Sequence, residues 1–359
     1  MDSLQITMGM LDLMVHPAFC VKNGIVAGAN QDAQRLLIQP GTPMDALLPE
    51  HHEEYLAFTD GCLYMQLHIL GQSLDVSVTK HGEYDIFVVE QDADQTELNT
   101  MALVAQELRE PLSNVMTVAD QLFPVVGSEP GVQDQVARIN RGLYQILRVV
   151  SNMSDALRYS QDGHKHQELR DITAFFGELF QNAGAHIGQA GIRLEFHNLS
   201  EQIFTLMDAE KLERGVYNLL SNAMKFTPRD GSIEATLTRR GRKLYLTVQD
   251  SGSGVEPGIR SNIHQRYRRQ PGLEDGRFGI GLGMVLIRAA AAAHGGTVLM
   301  EHPEGKGTRI TMTLQIRQHS GGTFRTNTLQ VDYAGERDHA LMELSDALPA
   351  KLYHKDRIN

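Results

Sequence analysis

The segment Tyr217–Pro228 combines side chains suited to phosphate and metal binding with a helical pattern of apolar residues. Asn218, Asn222 and Lys225 are spaced i, i+4 and i+7, so a helix would place them on one face, opposite its leucines and methionine. Amide oxygens suit a hard ion such as Mg²⁺, and a lysine ammonium supplies positive charge for a phosphate. The segment therefore predicts a helix that presents a phosphate and metal platform.

A second polar segment follows a run of alternating apolar and polar residues that predicts a strand. The strand ends in Asp250-Ser251-Gly252-Ser253-Gly254, where glycine lets the backbone approach a ligand closely. The Asp250 carboxylate could accept a hydrogen bond from an exocyclic adenine amino group. Taken alone, an Asp-Gly pair is most often a turn.

Two further glycine-containing segments follow. Gly279, Gly281 and Gly283 open a predicted helix, and backbone amides at a helix N-terminus favour phosphate oxygens. This spacing is not the dinucleotide fingerprint G-x-G-x-x-G, and no predicted strand leads directly into it, so a Rossmann fold is excluded. The fourth segment, Gly305–Thr308, lies between predicted strands and by itself predicts a hairpin.

The elements that must position these segments begin with a small α/β unit. Asn23-Gly24 between two short apolar runs predicts a hairpin, and a helical stretch follows it. Three stretches then alternate apolar and polar residues as antiparallel strands do, namely Leu63–Leu70, Ser73–Thr79 and Tyr84–Glu90. This order of elements resembles a PAS sensory domain.

Heptad-spaced apolar residues follow the α/β unit in two stretches separated by a turn around 124–131. Such regular seams predict a helical hairpin whose apolar stripe is too wide for one partner helix, so pairing of two hairpins into a four-helix bundle is expected. The alternative is two helices packed on their own chain. The seam residues are Met101, Ala105, Leu108, Leu112, Val115, Ala119 and Leu122, then Val136, Ile139, Leu143, Ile146, Val150, Met153 and Leu157.

In order and spacing, the four chemical segments together resemble the ATP-binding domain of sensor histidine kinases, in the superfamily shared with DNA gyrase, heat-shock chaperone ATPases and mismatch-repair ATPases. The resemblance covers about residues 166–317 and implies an α/β sandwich. It implies that Asn218 and Asn222 bind Mg²⁺, and that Lys225 and Thr308 contribute to ATP binding. It also implies that Asp250 contacts adenine and that Gly252 and Gly254 shape the floor of the site. Gly279, Gly281 and Gly283 would line the base of a lid.

The first predicted helix of the hairpin also resembles the phosphoacceptor helix of this family. Its phrase Gln106-Glu107-Leu108-Arg109-Glu110-Pro111-Leu112 is similar to His-Glu-Leu-Arg-Thr-Pro-Leu, with Gln106 where the acceptor histidine stands. No histidine occurs between His81 and His164. Because a carboxamide nitrogen is a poor nucleophile, autophosphorylation on this helix is not expected, although Glu107 could still act as a base.

Composition restricts the partners and the compartment. Lys+Arg 33 against Asp+Glu 44 gives a net charge of −11, which disfavours nucleic acid and anionic membrane surfaces as partners. Cys20 and Cys62 cannot form a disulfide framework, and no apolar run reaches the roughly 18 residues of a spanning helix. A cytoplasmic location is therefore predicted.

These observations predict an α+β multidomain chain with four parts. They are a PAS-like domain (1–92), a helical-hairpin dimerisation domain (93–165), a histidine-kinase-like ATP-binding domain (166–318) and a polar tail (319–359). The tail is predicted to contain a short helix around 338–348. The resemblance implies ATP and Mg²⁺ as ligands, a homodimer, and a response regulator or partner kinase as partner. Three functions stay open: a pseudokinase or a kinase acting on a partner, an authentic kinase with an unorthodox acceptor, and a nucleotide-stabilised scaffold.

Overall fold

The computed structural model of this 359-residue chain describes residues 3–69, 71–90, 93–122, 130–162, 167–254, 282–303, 307–317 and 338–354. Its amino-terminal part contains one antiparallel set of strands and four short helices. In chain order these elements are α1 (Ser3–Asp12), β1 (Ala18–Lys22), β2 (Ile25–Ala29), α2 (Gln31–Arg35), α3 (Met44–Leu47), α4 (His52–Ala57), β3 (Cys62–Ile69), β4 (Gln72–His81) and β5 (Tyr84–Val89).

Local sequence signals explain the start of this unit. Asn23 (φ 53°) and Gly24 (φ 74°) both have positive φ, as the tight turn between β1 and β2 requires. The Asn30 side chain accepts hydrogen bonds from the Ala33 amide (2.9 Å) and the Ala18 amide (3.0 Å), so it caps α2 and ties it to β1. The strands then pair in the order β2-β1-β5-β4-β3.

Two long helices, α5 (Ala93–Leu122) and α6 (Pro130–Asp162), pack on one another. Their heptad residues alternate in exposure, because Ala105 and Leu112 are buried whereas Leu108 and Val115 are about half exposed. The described part of the chain therefore leaves an apolar stripe on the helix pair open to solvent. Its members are Leu108, Val115, Ile139 and Ile146. No helix within the described ranges is long and apolar enough to cross a membrane.

The following part is a mixed α/β unit. Its elements are β6 (Glu168–Asp171), α7 (Ile172–Gln189), β7 (Arg193–Asn198), β8 (Phe204–Met207), α8 (Ala209–Phe226), β9 (Ser232–Arg240), β10 (Lys243–Asp250), α9 (Leu282–Ala293), β11 (Val298–Glu301) and β12 (Arg309–Gln315). Strands β11-β12-β10-β9-β7 pair in that order, with β7 parallel to β9, and β6 pairs with β8 separately. Helices α8 and α9 contact each other, and their apolar residues share one core with β10 and β12.

The two α/β units form one continuous sheet, because β3 pairs antiparallel with β11. Gly61 permits this approach, since its φ is +92° and a Cβ there would lie 2.1 Å from the Met300 carbonyl oxygen. Beside the junction, both Arg288 guanidinium Nη atoms donate to Glu90 at 2.6 Å, and the guanidinium lies 4.5 Å from the centre of the Tyr64 ring. The amino-terminal unit is thus held against the α9 helix.

A carboxy-terminal segment, Asp338–His354, folds back onto the long helices. It contains α10 (His339–Glu343) and a short 3₁₀ helix (Ala350–Tyr353), and the Asp338 side chain caps α10. Leu341, Leu344 and Leu348, the leucines predicted on one side of a short helix, are all buried. This segment is therefore part of the main core, whereas residues 319–337 of the polar tail lie outside the described residues.

Candidate nucleotide-binding site

Helix α8 carries the predicted phosphate and metal platform. The helix begins at the Asp208 cap, whose carboxylate accepts from the Lys211 amide at 3.1 Å. Asn218 is 1% exposed, while Asn222 and Lys225 are partly buried. Because the leucines and methionine of the same segment are buried, the polar side chains point toward α6 and α9 instead of the sheet core.

Asn218 is held from two sides. Its Nδ2 donates to the Arg214 carbonyl at 2.8 Å, and its Oδ1 accepts from Arg148 Nη2 of α6 at 3.0 Å. A Cβ on Gly283 would lie 3.2 Å from Asn218 Oδ1 and 3.8 Å from Asn222 Nδ2, so the start of α9 lies against both asparagines. The two amides are thus close enough in space to serve one ligand, but the Asn218 oxygen is already bound to a guanidinium.

Lys225 is paired with the carboxy-terminal segment. Its Nζ lies 3.0 Å from Asp346 Oδ2, and the same carboxylate forms an ion pair with Arg148. Burial lowers the pKa of Lys225 below its ordinary value, although Asp346 opposes this effect. Burial alone would raise the pKa of Asp346, but Arg148 and Lys225 hold that pKa below its ordinary value. The 3.0 Å distance between the Lys225 ammonium nitrogen and the Asp346 carboxylate is that of an ion pair.

Asp250 lies at the end of β10 and is 5% exposed. Its Oδ1 accepts from the Gly252 amide at 2.8 Å, and its Oδ2 accepts from the Thr308 amide at 3.2 Å. Burial raises the pKa of Asp250, while these backbone donors oppose the shift. An ionised carboxylate offers about four acceptor positions, so it retains capacity for a ligand's donor.

The glycines around Asp250 allow three chain segments to meet. A Cβ on Gly252 would lie 2.3 Å from the Phe226 carbonyl oxygen at the end of α8. A Cβ on Gly307 would lie 2.2 Å from Asp250 Oδ1, and one on Gly254 (φ +70°) would lie 3.3 Å from the Gly307 carbonyl oxygen. Side chains at positions 252 and 307 would force the segments apart, and the positive φ at position 254 would strain any other residue.

Several predicted site residues lie outside the described residues. These are Gly279 and Gly281 of the third segment, and Gly305 and Lys306 of the fourth. Within the described ranges, no group of three or more His, Cys, Asp or Glu side chains is placed to hold a metal ion.

The predicted acceptor position lies on α5. Gln106 and Glu107 are both exposed, as is Glu110 one turn further. Among the described residues, Arg148 of α6 contacts the α8 platform.

A buried ionic network next to the platform was missed by the sequence analysis. Arg214 of α8 is 0% exposed and contacts Asp155 Oδ2 (2.9 Å), Asn152 Oδ1 (2.7 Å) and Glu343 Oε1 (3.2 Å). It links α8 to α6 and to α10. The sequence gives only a weak indication that Arg214 is buried, because charged residues in amphipathic helices most often lie on a solvent-exposed face.

Comparison with known proteins shows which ATPase family residues 207–318 resemble. Residues 207–318 match the family model described as "Histidine kinase-, DNA gyrase B-, and HSP90-like ATPase". Over 232 residues, 63% of this chain and 17% of the other, the sequence is 24% identical to Histidine kinase P4 of Formosa agariphila. It is 25% identical over 256 residues to the Histidine protein kinase DivJ of Caulobacter vibrioides, covering 69% of this chain and 42% of that one.

A solved structure shows the same fold. The crystal structure of full-length ShkA in complex with AMPPNP aligns with 62% of this chain and 47% of its own, with a TM-score of 0.50 and 21% identity. The chain thus contains an ATPase domain of the histidine kinase type and is histidine-kinase-like in sequence and fold. It spans less than half the length of these relatives.

Proposed function

We propose that this chain is a signalling protein of the histidine kinase type that binds ATP–Mg²⁺ but does not phosphorylate itself on α5. The observation that carries the proposal is the convergence of Asn218, Asn222 and Gly283 on one side of α8, with Asp250 at the other end of the site. A carboxylate for the base, amides for the metal and a lysine for phosphate are the groups a nucleotide requires.

Mg²⁺ would be held by the amide oxygens of Asn218 and Asn222 together with ATP phosphates. When bound, the ion would neutralise phosphate charge. The chain's own residues orient the nucleotide: Asp250 would accept from the adenine, and Lys225 would pair with a phosphate. The Arg148 contact to Asn218 Oδ1 must open for the metal to bind.

Loss of self-phosphorylation follows from the residue at the acceptor position. Gln106 is exposed on α5, so a histidine there would be accessible to a donor, but the carboxamide is not a competent nucleophile. Among the alternatives, transfer to a partner's histidine is the second candidate, because the side chains predicted for the ATP site are present while Gln106 replaces the acceptor histidine.

A homodimer and a sensory role complete the proposal. The open apolar stripe on α5 and α6 has the spacing of a bundle seam, so a second copy would bury it. The strand order β2-β1-β5-β4-β3 with short helices between β2 and β3 supports a PAS-like unit as sensor. A response regulator or a partner kinase would receive the signal.

The test combines nucleotide binding with phosphate transfer from γ-labelled ATP in the presence of Mg²⁺. We expect saturable ATP binding that Asn222→Ala abolishes and that Asn182→Ala, an exposed asparagine on α7, leaves unchanged. We expect no acid-labile label on the wild-type chain and label on the Gln106→His variant. Label on the wild type would indicate an unorthodox acceptor, and absence of ATP binding would overturn the proposal.

Label on an added response regulator or partner kinase, with none on this chain, would favour the second candidate. The scaffold alternative would be favoured if Asn222→Ala lost ATP binding but kept its signalling output.

A further inference from the structure

The carboxy-terminal segment Asp338–His354 lies directly against the candidate nucleotide site. We propose that Asp346 takes the place of a nucleotide phosphate at Lys225 and Arg148, so that docking of this segment and binding of ATP–Mg²⁺ exclude one another. This inference rests on the proposed function, because it presumes that the α8 platform binds a nucleotide.

The charges at the platform are already satisfied by the protein. Asp346 Oδ2 pairs with both Lys225 and Arg148, and its side chain is only 26% exposed. A phosphate needs the same lysine, and two anions cannot share it closely without strong repulsion. Nucleotide binding therefore requires this carboxylate to move away.

The metal-binding side of the platform is closed by the same contact. Arg148 donates to Asn218 Oδ1 at 3.0 Å, and its Nε lies 3.5 Å from Glu343 Oε2 of α10. Asp346 and Glu343, both in the carboxy-terminal segment, thus hold the guanidinium over the asparagine. Release of the segment would remove both carboxylates and free Arg148 to leave Asn218 or to bind phosphate itself.

One face of α6 helps to anchor the segment. Arg141 donates to the carbonyls of Ser345 (3.1 Å) and Asp346 (3.0 Å), and Gln145 donates to Ser345 at 3.2 Å. Asn140, the residue before Arg141, donates to the Tyr353 carbonyl at 3.1 Å. The segment therefore ties the long helices to the ATPase domain, and its release would loosen that connection when nucleotide binds.

The two states exchange one anion for another, so neither leaves the cations unpaired. With the segment docked, Asp346 neutralises Lys225 and Arg148; with nucleotide bound, phosphate oxygens would do so, and as charge-assisted acceptors they are at least as strong. Linkage then requires that nucleotide weakens docking by the same factor by which docking weakens nucleotide binding.

The test measures Mg²⁺–ATP affinity of the full chain by calorimetry for the wild type, Asp346→Asn and Asp338→Asn. We expect Asp346→Asn to bind at least about tenfold more tightly, because the apparent dissociation constant scales with the inverse of the competent fraction. Asp338→Asn is the matched control: it makes the same substitution in the same segment, and asparagine can retain both the cap on α10 and a hydrogen bond to His186 of α7. We expect its affinity to stay at the wild-type value.

Hydrogen exchange on the wild-type chain provides a second readout that needs no variant. The Leu344 and Leu348 amides, which donate to Ala340 and Leu344 carbonyls at 2.9 Å, should exchange faster with saturating Mg²⁺–ATP. Equal affinities for wild type and Asp346→Asn, equal tightening by Asp338→Asn, or unchanged exchange at saturation would each overturn the inference while leaving ATP binding established. If neither wild type nor Asp346→Asn binds, the proposed function itself fails.

Discussion

Replacing Arg214 with methionine should strongly destabilise the ATPase domain. Methionine fills a similar elongated volume but removes a fully buried charge that contacts Asp155, Asn152 and Glu343. Removing one partner of a buried ionic pair typically costs about 3–5 kcal/mol, because the remaining charge is left without compensation. Here Asp155 keeps Arg158 at 3.0 Å, so the lower end, about 3 kcal/mol, is expected.

The expected loss converts to a fall in melting temperature of about 6–12 °C for a domain of this size. The chain has no tryptophan, so far-ultraviolet circular dichroism is the suitable probe of unfolding. Arg239→Met is the matched control, because Arg239 is exposed and donates to the Gly241 carbonyl. We expect that control to change stability by less than about 0.5 kcal/mol.

The deficit of Arg214→Met should also depend on pH. Burial already raises the pKa of Asp155, and Arg214 opposes that shift. Without Arg214, the folded-state pKa of Asp155 rises further above its unfolded value, so ionisation at higher pH penalises the folded variant. The deficit should therefore shrink as pH falls toward 5. A melting temperature equal to that of Arg239→Met, or a deficit that grows on acidification, would refute this reasoning.

Three further outcomes are expected. Gly252→Ala should abolish nucleotide binding in calorimetry, because its Cβ would lie 2.3 Å from a backbone carbonyl oxygen, whereas Gly142→Ala, with nothing within 4 Å, should bind normally. Glu90→Gln should leave the mostly buried Arg288 without its anion and cost about 3 kcal/mol, measured as faster hydrogen exchange along β3 and β11; unchanged exchange would contradict this. Burial would lower the pKa of His339, but its glutamate partner on α8 raises it above 6.5. The loss of stability caused by His339→Gln should therefore be largest below about pH 6.5 and should vanish as pH rises through the pKa of His339 in the folded protein. A loss of stability that does not depend on pH would contradict this prediction.

Local pattern predicts much of this fold. The Asn23-Gly24 turn predicts the hairpin of β1 and β2. The alternation of 63–70, 73–79 and 84–90 predicts strands within a few residues of β3, β4 and β5. The i, i+4, i+7 spacing predicts that Asn218, Asn222 and Lys225 share a helix face, because helical periodicity depends only on neighbours in the chain.

Contacts between distant segments could not be predicted in the same way. Nothing in the sequence around Lys225 indicates that its partner is Asp346, since each residue taken alone is typical of a solvated surface. The α1 helix (Ser3–Asp12) was also not predicted. The pairing of β3 with β11 could not be predicted either, because each strand taken alone has an ordinary strand sequence.

The shared sheet has a consequence for synthesis of the chain. Cys62 pairs with Met300, so β3 emerges from the ribosome long before its neighbour β11 exists. Until then the growing polypeptide presents an unpaired edge with an apolar face, a template to which other strands can add. The β3 edge of the amino-terminal unit therefore stays unpaired through most of translation. When β11 of the ATPase domain pairs with this edge, it also protects the edge from aggregation.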